Sequence, residues 1–321
     1  MKKLLAAPAF TAWASVVLMA ALFLAGAAAY PGFASAQVGL NLLVDNAFLL
    51  VIAVGMSLVV LSGGIDLSVG SVLALTTMVA AWLLQVAHWP AWAVAAVALA
   101  GGAVFGALQG WLIHTFRLQP FIVTLAGMFL ARGLCFLIGV ESITIDEAQF
   151  VWLSQAQIPL PGGAFLSPGA LIALAVLGAG IWIAHFTAFG RTVYAIGGNE
   201  TSALMMGLAV SRTKVGIYAL SSFCAALAGL LFALYMLSGY GLHGQGIELD
   251  AIAAVVIGGT LLSGGQGHVI GALSGVLVLG LIQTLIAFDG TLSSWWTKIA
   301  IGALLFIFCA VQRLLAPRRP T

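Results

Sequence analysis

Apolar runs follow one another along almost the whole chain, separated by short polar or glycine-rich interruptions. They cover 10–29, 43–61, 69–87, 91–114, 118–139, 168–186, 213–237, 250–262, 268–287 and 295–313. A run of about 20 apolar residues suits a helix that crosses the hydrocarbon core. The pattern therefore predicts an all-α membrane protein of about ten transmembrane helices, forming one domain over residues 1–321. Two stretches are left over as long connections, 140–167 and 187–214.

Composition agrees with the pattern. Hydrophobic residues make up 63% and charged residues 6% of the chain, with mean hydropathy +1.17; soluble domains average about 25% charged residues. Lipid is the solvent that such a surface requires. The ten runs leave no room in these 321 residues for a soluble ATPase, kinase or ligand-binding module. A net charge of +2, with only small basic clusters at Lys2-Lys3, Arg212/Lys214 and Arg318-Arg319, excludes a nucleic-acid footprint. Residues 1–29 resemble a signal peptide, yet an uncleaved first span puts every later charge on a sensible side. With Lys2 and Lys3 inside, Arg117, Arg191, Arg212, Lys214, Arg313, Arg318 and Arg319 all fall on the cytoplasmic side, as do both termini. Glu141, Asp146, Glu147, Glu248, Asp250 and Asp289 then fall outside. Trp13, Trp111 and Trp182 mark the inner interface and Trp89, Trp92, Trp295 and Trp296 the outer, with Lys298 able to snorkel past the last pair.

Two segments interrupt apolar helices with residues that unwind them: Ser62-Gly63-Gly64-Ile65-Asp66-Leu67-Ser68-Val69-Gly70 and Ser263-Gly264-Gly265-Gln266-Gly267-His268. A shift of 201 positions superimposes the two Ser-Gly-Gly triplets and sets Gly70 on Gly271. This reads as two parallel internal repeats with broken helices, the first four spans corresponding to the last four. Unpaired backbone in a bilayer costs several kcal/mol per group, so the breaks should face a cavity or the bundle interior; the plainer reading is a turn at the inner surface.

Few side chains could carry chemistry. Asp66 needs backbone donors or a cation, either as a functional carboxylate or as a cap for the helix starting near Ser68. Arg132, inside the fifth run, calls for a partner, and Glu141 and Asp66 are candidates for a structural pair. Asn46, Gly63, Gly64, Ser68, Phe121, Thr124, Gly264, Gly265 and Gln283 are pathway or gating candidates on polarity and position, with packing or capping as the plainer role. His88, His114, His185, His243 and His268 show no metal-ligand spacing, and Cys135, Cys224 and Cys309 stand isolated in apolar runs. With no GxSxG, P-loop or catalytic dyad, an enzyme is not expected and no metal site is predicted. The GxxxG steps Gly102/Gly106 and Gly271/Gly275 read as close helix packing. In the 187–214 connection, Asn199 caps a short helix carrying Glu200, Ala203, Leu204, Met205 and Met206 and ending at Gly207, an exposed helix that invites a partner. The 140–167 connection, with its Pro-rich IPLPGGAFLSP, reads as a docking surface or an ordered external lid.

The segments LSGGIDLSVGSVLAL (61–75), FIVTLAGMFLARGL (121–134), FGRTVYAIGGNETSALMMGL (189–208) and ELDAIAAVVIGGTLLSGGQGHVIGAL (248–273) resemble the permease subunits of bacterial ABC importers for monosaccharides, of the ribose, methyl-galactoside and autoinducer type. PGFAS (31–35), DNAFL (45–49) and FDGTLSSWWTKIAIG (288–302) are most similar to a permease of a galactofuranose importer. The resemblance implies an inner-membrane subunit without a nucleotide site or cofactor of its own. It implies a second permease as partner: a homologous one if the galactofuranose likeness holds, a second copy if the ribose-type pattern does. A double-cassette sugar ATPase that binds ATP and Mg would dock below, and a periplasmic sugar-binding protein above. It also places the coupling helix at Asn199, Glu200, Ala203, Leu204 and Gly207, although of the family's Glu-Ala-Ala pattern only Glu200 and Ala203 are present. Alternating access by ATP-driven movement of that helix is the implied mechanism. The rivals are an ion-coupled secondary transporter of a small polar solute with Asp66 as its ion site, and a membrane scaffold without flux.

Overall fold

The computed structural model describes residues 8–293 and 295–315, with side chains from 13 to 312 except at 294. Lys2, Lys3, Arg318, Arg319 and the side chain of Arg313, expected as topology anchors, lie outside the described residues. The helices are α1 (Pro8–Ala29), α2 (Ala36–Asp45), α3 (Ala47–Leu61), α4 (Val69–Gln85), α5 (Ala91–Thr115), α6 (Pro120–Ile138), α7 (Ala148–Gln155), α8 (Pro168–Phe186), α9 (Ala188–Gly198), α10 (Glu200–Met205), α11 (Val210–Met236), α12 (Ile247–Ile257), α13 (Gly271–Asp289) and α14 (Trp295–Leu315). Two short antiparallel ladders complete the fold: β1 (Ile143–Thr144) with β4 (Ser238–Gly239), and β2 (Ile158–Pro159) with β3 (Phe165–Leu166).

Each of the ten apolar runs contains a helix, though the helices differ in length. Six helices among the described residues are long and apolar enough to cross a membrane: α5, α6, α8, α11, α13 and α14. The pair α2 and α3, bent by 56°, is together long and apolar enough to count as a seventh. The bend falls at Asn46, whose buried amide donates to the Leu42 carbonyl (3.0 Å) and packs on Gly280 of α13. α12 with 11 residues is too short to cross alone, and α4 has 17. The apolar runs did not betray this, because the missing length is made of unwound but still apolar or glycine-rich chain.

Helix directions follow from close contacts. Along α5, Gly102, Gly106 and Gly110 pack on the backbone of α11 at Ser222, Tyr218 and Lys214–Val215, so the two are antiparallel. A Cβ at Gly106 would overlap the Tyr218 carbonyl. This is small-residue packing, which lets two helices approach where no hydrophobic drive between them exists. Gly55 lies on Ser221 and Cys224 and Gly64, just past α3, on the Tyr218 hydroxyl, so α3 also opposes α11. Gly271 and Gly275 lie on Gly258 and Ala254, closing α12 and α13 into a hairpin. α3 and α12 therefore run the same way, toward one end of the bundle. That end carries Arg117, Arg191, Arg212 and Lys214; the other carries Glu141, Asp146, Glu147 and Asp289.

At the basic end the two Ser-Gly-Gly segments touch. The Gly265 N–H donates to the Leu61 carbonyl (2.8 Å), and a Cβ on Gly264 would sit 2.7 Å from the Gly63 nitrogen. They do not fold alike. After Gly64 the chain runs without regular structure to Ser68 and climbs back into the bundle, where α4 begins with Gly70 against Gly244 and Glu248. Residues 259–270 instead stay at the basic end, and α13 starts beside the end of α12. A counterpart to the re-entrant stretch, of opposite sense, follows α11: Leu237-Ser238-Gly239 repeats the Leu-Ser-Gly of 61–63, and the non-helical 238–246 descends beside α4 to the start of α12. The N-termini of α4 and α12 thus meet inside the bundle, about 16 Å from the basic-end breaks by the rise of α12.

The 140–167 connection packs on the acidic end through Ile145 and Phe150, both buried against Ala80–Leu84, while Trp152 stays exposed. Glu147 caps α7 by accepting from the Phe150 N–H (2.8 Å).

Candidate functional site

An exposed element that could engage an outside partner is α10, at the basic end. Asn199 leaves α9 in an extended conformation and its Oδ1 accepts from the Ser202 N–H (2.8 Å), an ordinary N-cap. Gly207, at φ +75°, stops the helix: its N–H donates to Leu204 and the Leu208 N–H to Ala203 (3.1 Å), the paired bonds of a Schellman end. One face is anchored, since Ala203 is fully buried with Ile196 and Val210 and Glu200 pairs with Lys214 (2.6 Å). The other face is bare. Leu204, Met205 and Met206 are 52%, 83% and 67% exposed. Apolar side chains presented by a capped helix beyond the bundle form an exposed knob. Asn199, Glu200, Ala203 and Gly207 build it, and Leu204 with the two methionines forms its surface.

The buried polar candidates form a second centre around the first break. Asp66 is fully buried; its Oδ1 accepts from the Ser68 N–H (2.9 Å) and hydroxyl (2.6 Å), its Oδ2 from the Ser221 hydroxyl of α11 (2.8 Å). Gln109 of α5 donates to the Ser68 hydroxyl oxygen (3.0 Å), and Gly127 of α6 leaves room for its amide. Thr124 of α6 donates to the Ile65 carbonyl (3.3 Å). Three helices thus satisfy the unwound stretch from the side, as a dry interior requires. Asp66 and Ser68 together organise the start of α4.

Arg132 does the same for the second unwound stretch. Its Nη1 donates to the carbonyls of Gly241 (2.6 Å) and His243 (2.8 Å). The expected partners Glu141 and Asp66 are replaced by backbone, with Glu248 the carboxylate whose field reaches the guanidinium. An intramembrane guanidinium here supplies donors to carbonyls freed by unwinding. Glu248 and Asp250, expected outside, lie inward along α12: Glu248 packs on Gly70, and Asp250 pairs with Lys298 (2.7 Å), which takes that partner instead of snorkelling.

The remaining candidates separate by exposure. Asn46, Asp66, Ser68 and Thr124 are buried, whereas Phe121 is half exposed and Gln283 is exposed. Gln283 lines a cavity of about 510 Å³ between α13 and α14 with Ile286, Ala287, Leu292, Thr297 and Lys298. Gly63, Gly64, Gly264 and Gly265 gather at the basic-end junction. Gln109 and Ser221 escaped the sequence reading; a polar residue facing inward from an apolar helix was the available signal. No group of three or more His, Cys, Asp or Glu side chains that could hold a metal ion occurs among the described residues.

The family model for the branched-chain amino acid transport system / permease component matches residues 38–309. The chain is 55% identical to the inner membrane ABC transporter permease protein YjfF of Escherichia coli K12, over 88% of this chain and 86% of that protein. It is 40% identical to the fructose import permease protein FruG of Bifidobacterium longum, covering 94% and 89%. With the ribose import permease protein RbsC of Escherichia coli K12 it shares 37% identity over 88% and 87%. No solved structure gives a significant match. A bundle broken by re-entrant segments, a capped knob at its basic end and these matches lead to one assignment: the chain belongs to the ABC transporter permease family, whose members are translocation subunits without a catalytic centre of their own.

Proposed function

We propose that the chain is the membrane-spanning permease of an ATP-driven sugar importer in the inner membrane, and that its cargo is a monosaccharide, galactofuranose. A periplasmic binding protein delivers the sugar at the acidic end. A double-cassette ATPase, which holds the ATP and Mg, docks at the basic end, with the termini on the same side. A second permease completes the pathway; the galactofuranose likeness favours a homologous partner over a second copy. The sugar class is supported by relatives named for ribose and fructose import, and galactofuranose by the 31–35, 45–49 and 288–302 segments.

The observation that carries the reading is α10, an apolar surface on a capped helix outside the bundle. The cargo path is assigned to exposed positions such as Phe121 and Gln283, because the buried candidates are occupied with one another. Asp66, enclosed by hydroxyl donors from Ser68 and Ser221, suits a structural role better than a transported ion.

The test is reconstitution with the ATPase, the partner permease and the binding protein. Met205→Asp should abolish co-purification of the ATPase and lower binding-protein-stimulated ATP hydrolysis at least tenfold; unchanged co-purification would sink the docking assignment. Met205 is the better target than Ala203 or Gly207, whose replacement unfolds the knob itself. Vesicle uptake of labelled galactofuranose against ribose, fructose and galactose decides the cargo.

A further inference from the structure

Three separate parts of the chain meet at the basic end with no side chain between them. Gly197, in the last turn of α9, faces the Leu61 carbonyl at the end of α3 and the Gly265 nitrogen in the second break; a Cβ there would overlap both. Gly265, at φ +74°, would place a Cβ 2.8 Å from the Gly198 nitrogen, and Gly264, at φ +79°, one 3.1 Å from the Gly197 Cα. The Gly265 N–H bond to Leu61 crosses the same point, and the Tyr194 hydroxyl of α9 donates to the Gly267 carbonyl (2.8 Å) beside it. α10 is fixed to α9 through the Asn199 N–H bond to Ala195 (3.0 Å) and the buried Ile196, Ala203 and Val210.

Side chains in contact can absorb a small displacement by changing rotamer; backbone against backbone cannot. A shift of α10 must therefore reach the end of α3 and the 263–267 segment together. We propose that Gly197 is a positioning residue for transport: it joins α9 and α10 to both Ser-Gly-Gly breaks, so that knob and breaks move as one body. The inference rests on α10 being the ATPase-docking element and adds the route by which its movement enters the bundle. It also separates two neighbouring glycines of the same motif, since Gly198 has open space where a Cβ would stand and ordinary negative φ.

The experiment uses the complete importer in proteoliposomes, with labelled uptake of whichever of galactofuranose, ribose, fructose or galactose the unmodified importer takes up, and with ATP hydrolysis stimulated by the binding protein. Gly197→Ala is expected to lower uptake and stimulated hydrolysis at least tenfold while the ATPase still co-purifies. Gly198→Ala should stay within twofold of the unmodified importer. Uptake near normal in Gly197→Ala, or an equal loss in Gly198→Ala, overturns the proposal. Should Gly197→Ala not accumulate, a second arm decides: Ser62→Cys with Ser263→Cys in a Cys309→Ala background, bridged by a short bismaleimide. One body predicts that the bridged importer keeps at least half its uptake, and loss of uptake on bridging overturns it. Failure of the docking reading shows separately, as normal ATPase co-purification with Met205→Asp.

Discussion

The first and second Ser-Gly-Gly segments begin with the same three residues and lie against each other, yet they are held by different means. The first leads into chain that climbs through the bundle, and polar side chains from α5, α6 and α11 meet it there, with Asp66 at the centre. The second stays at the end of the bundle and is shaped by glycine: Gly271 lies on Gly258, and Gly267 at φ +139° leaves its missing Cβ 2.6 Å from the Thr260 hydroxyl. Depth explains the difference. An unwound backbone deep inside needs donors and acceptors brought to it, whereas one at the end needs only close approach.

The comparison predicts opposite sensitivities. The largest effect belongs to Asp66→Ala, which strands three buried donors at about 1–3 kcal/mol each; the chain should lose at least about 3 kcal/mol, read by denaturant titration in detergent, or fail to accumulate. Full stability there would mean that the first break is not held by its polar contacts. Next, Gly271→Val should cost about 2–3 kcal/mol by forcing α12 and α13 apart, in the range of overpacked interiors; a neutral result would remove glycine packing as the support of the second break. Arg132→Met, which strips two charge-assisted bonds from the Gly241 and His243 carbonyls, should cost about 2 kcal/mol, with Arg132→Lys recovering part of it. Equal losses for Met and Lys would point to packing of the side chain instead. The smallest effect is Ser263→Ala, at an exposed position, within about 0.5 kcal/mol of the unmodified chain. A loss at Ser263 comparable to that at Asp66 would erase the contrast between the two breaks.

Much of the site was legible, though unevenly. Asn199, Ala203 and Gly207 announce α10 because capping and helix termination are local, set within a few residues of chain. The GxxxG steps announce tight contacts, since only small residues permit them, but not which helix fills the groove. Arg132 was recognisable as needing a partner, while Gly241 and His243 were not recognisable as that partner: any residue has a carbonyl, and only unwinding frees it. Glu248 and Asp250 were misplaced because α12 was read as a span beginning at the surface, when 238–246 had already re-entered the bundle.

From the sequence alone come the membrane as solvent, the helices in the ten apolar runs, the two glycine breaks and the capped knob, because hydropathy, glycine content and capping act over short stretches of chain. Tertiary structure alone decided that α4 and α12 start inside the bundle, that Gln109 and Ser221 complete the Asp66 network, and that a Cβ at Gly197 would overlap both the end of α3 and the second break while one at Gly198 has open space. Those facts rest on contacts between residues as far apart as Asp66 and Ser221, or Leu61 and Gly265. Depth in the bundle is a relation between helices, and no window along one helix contains it.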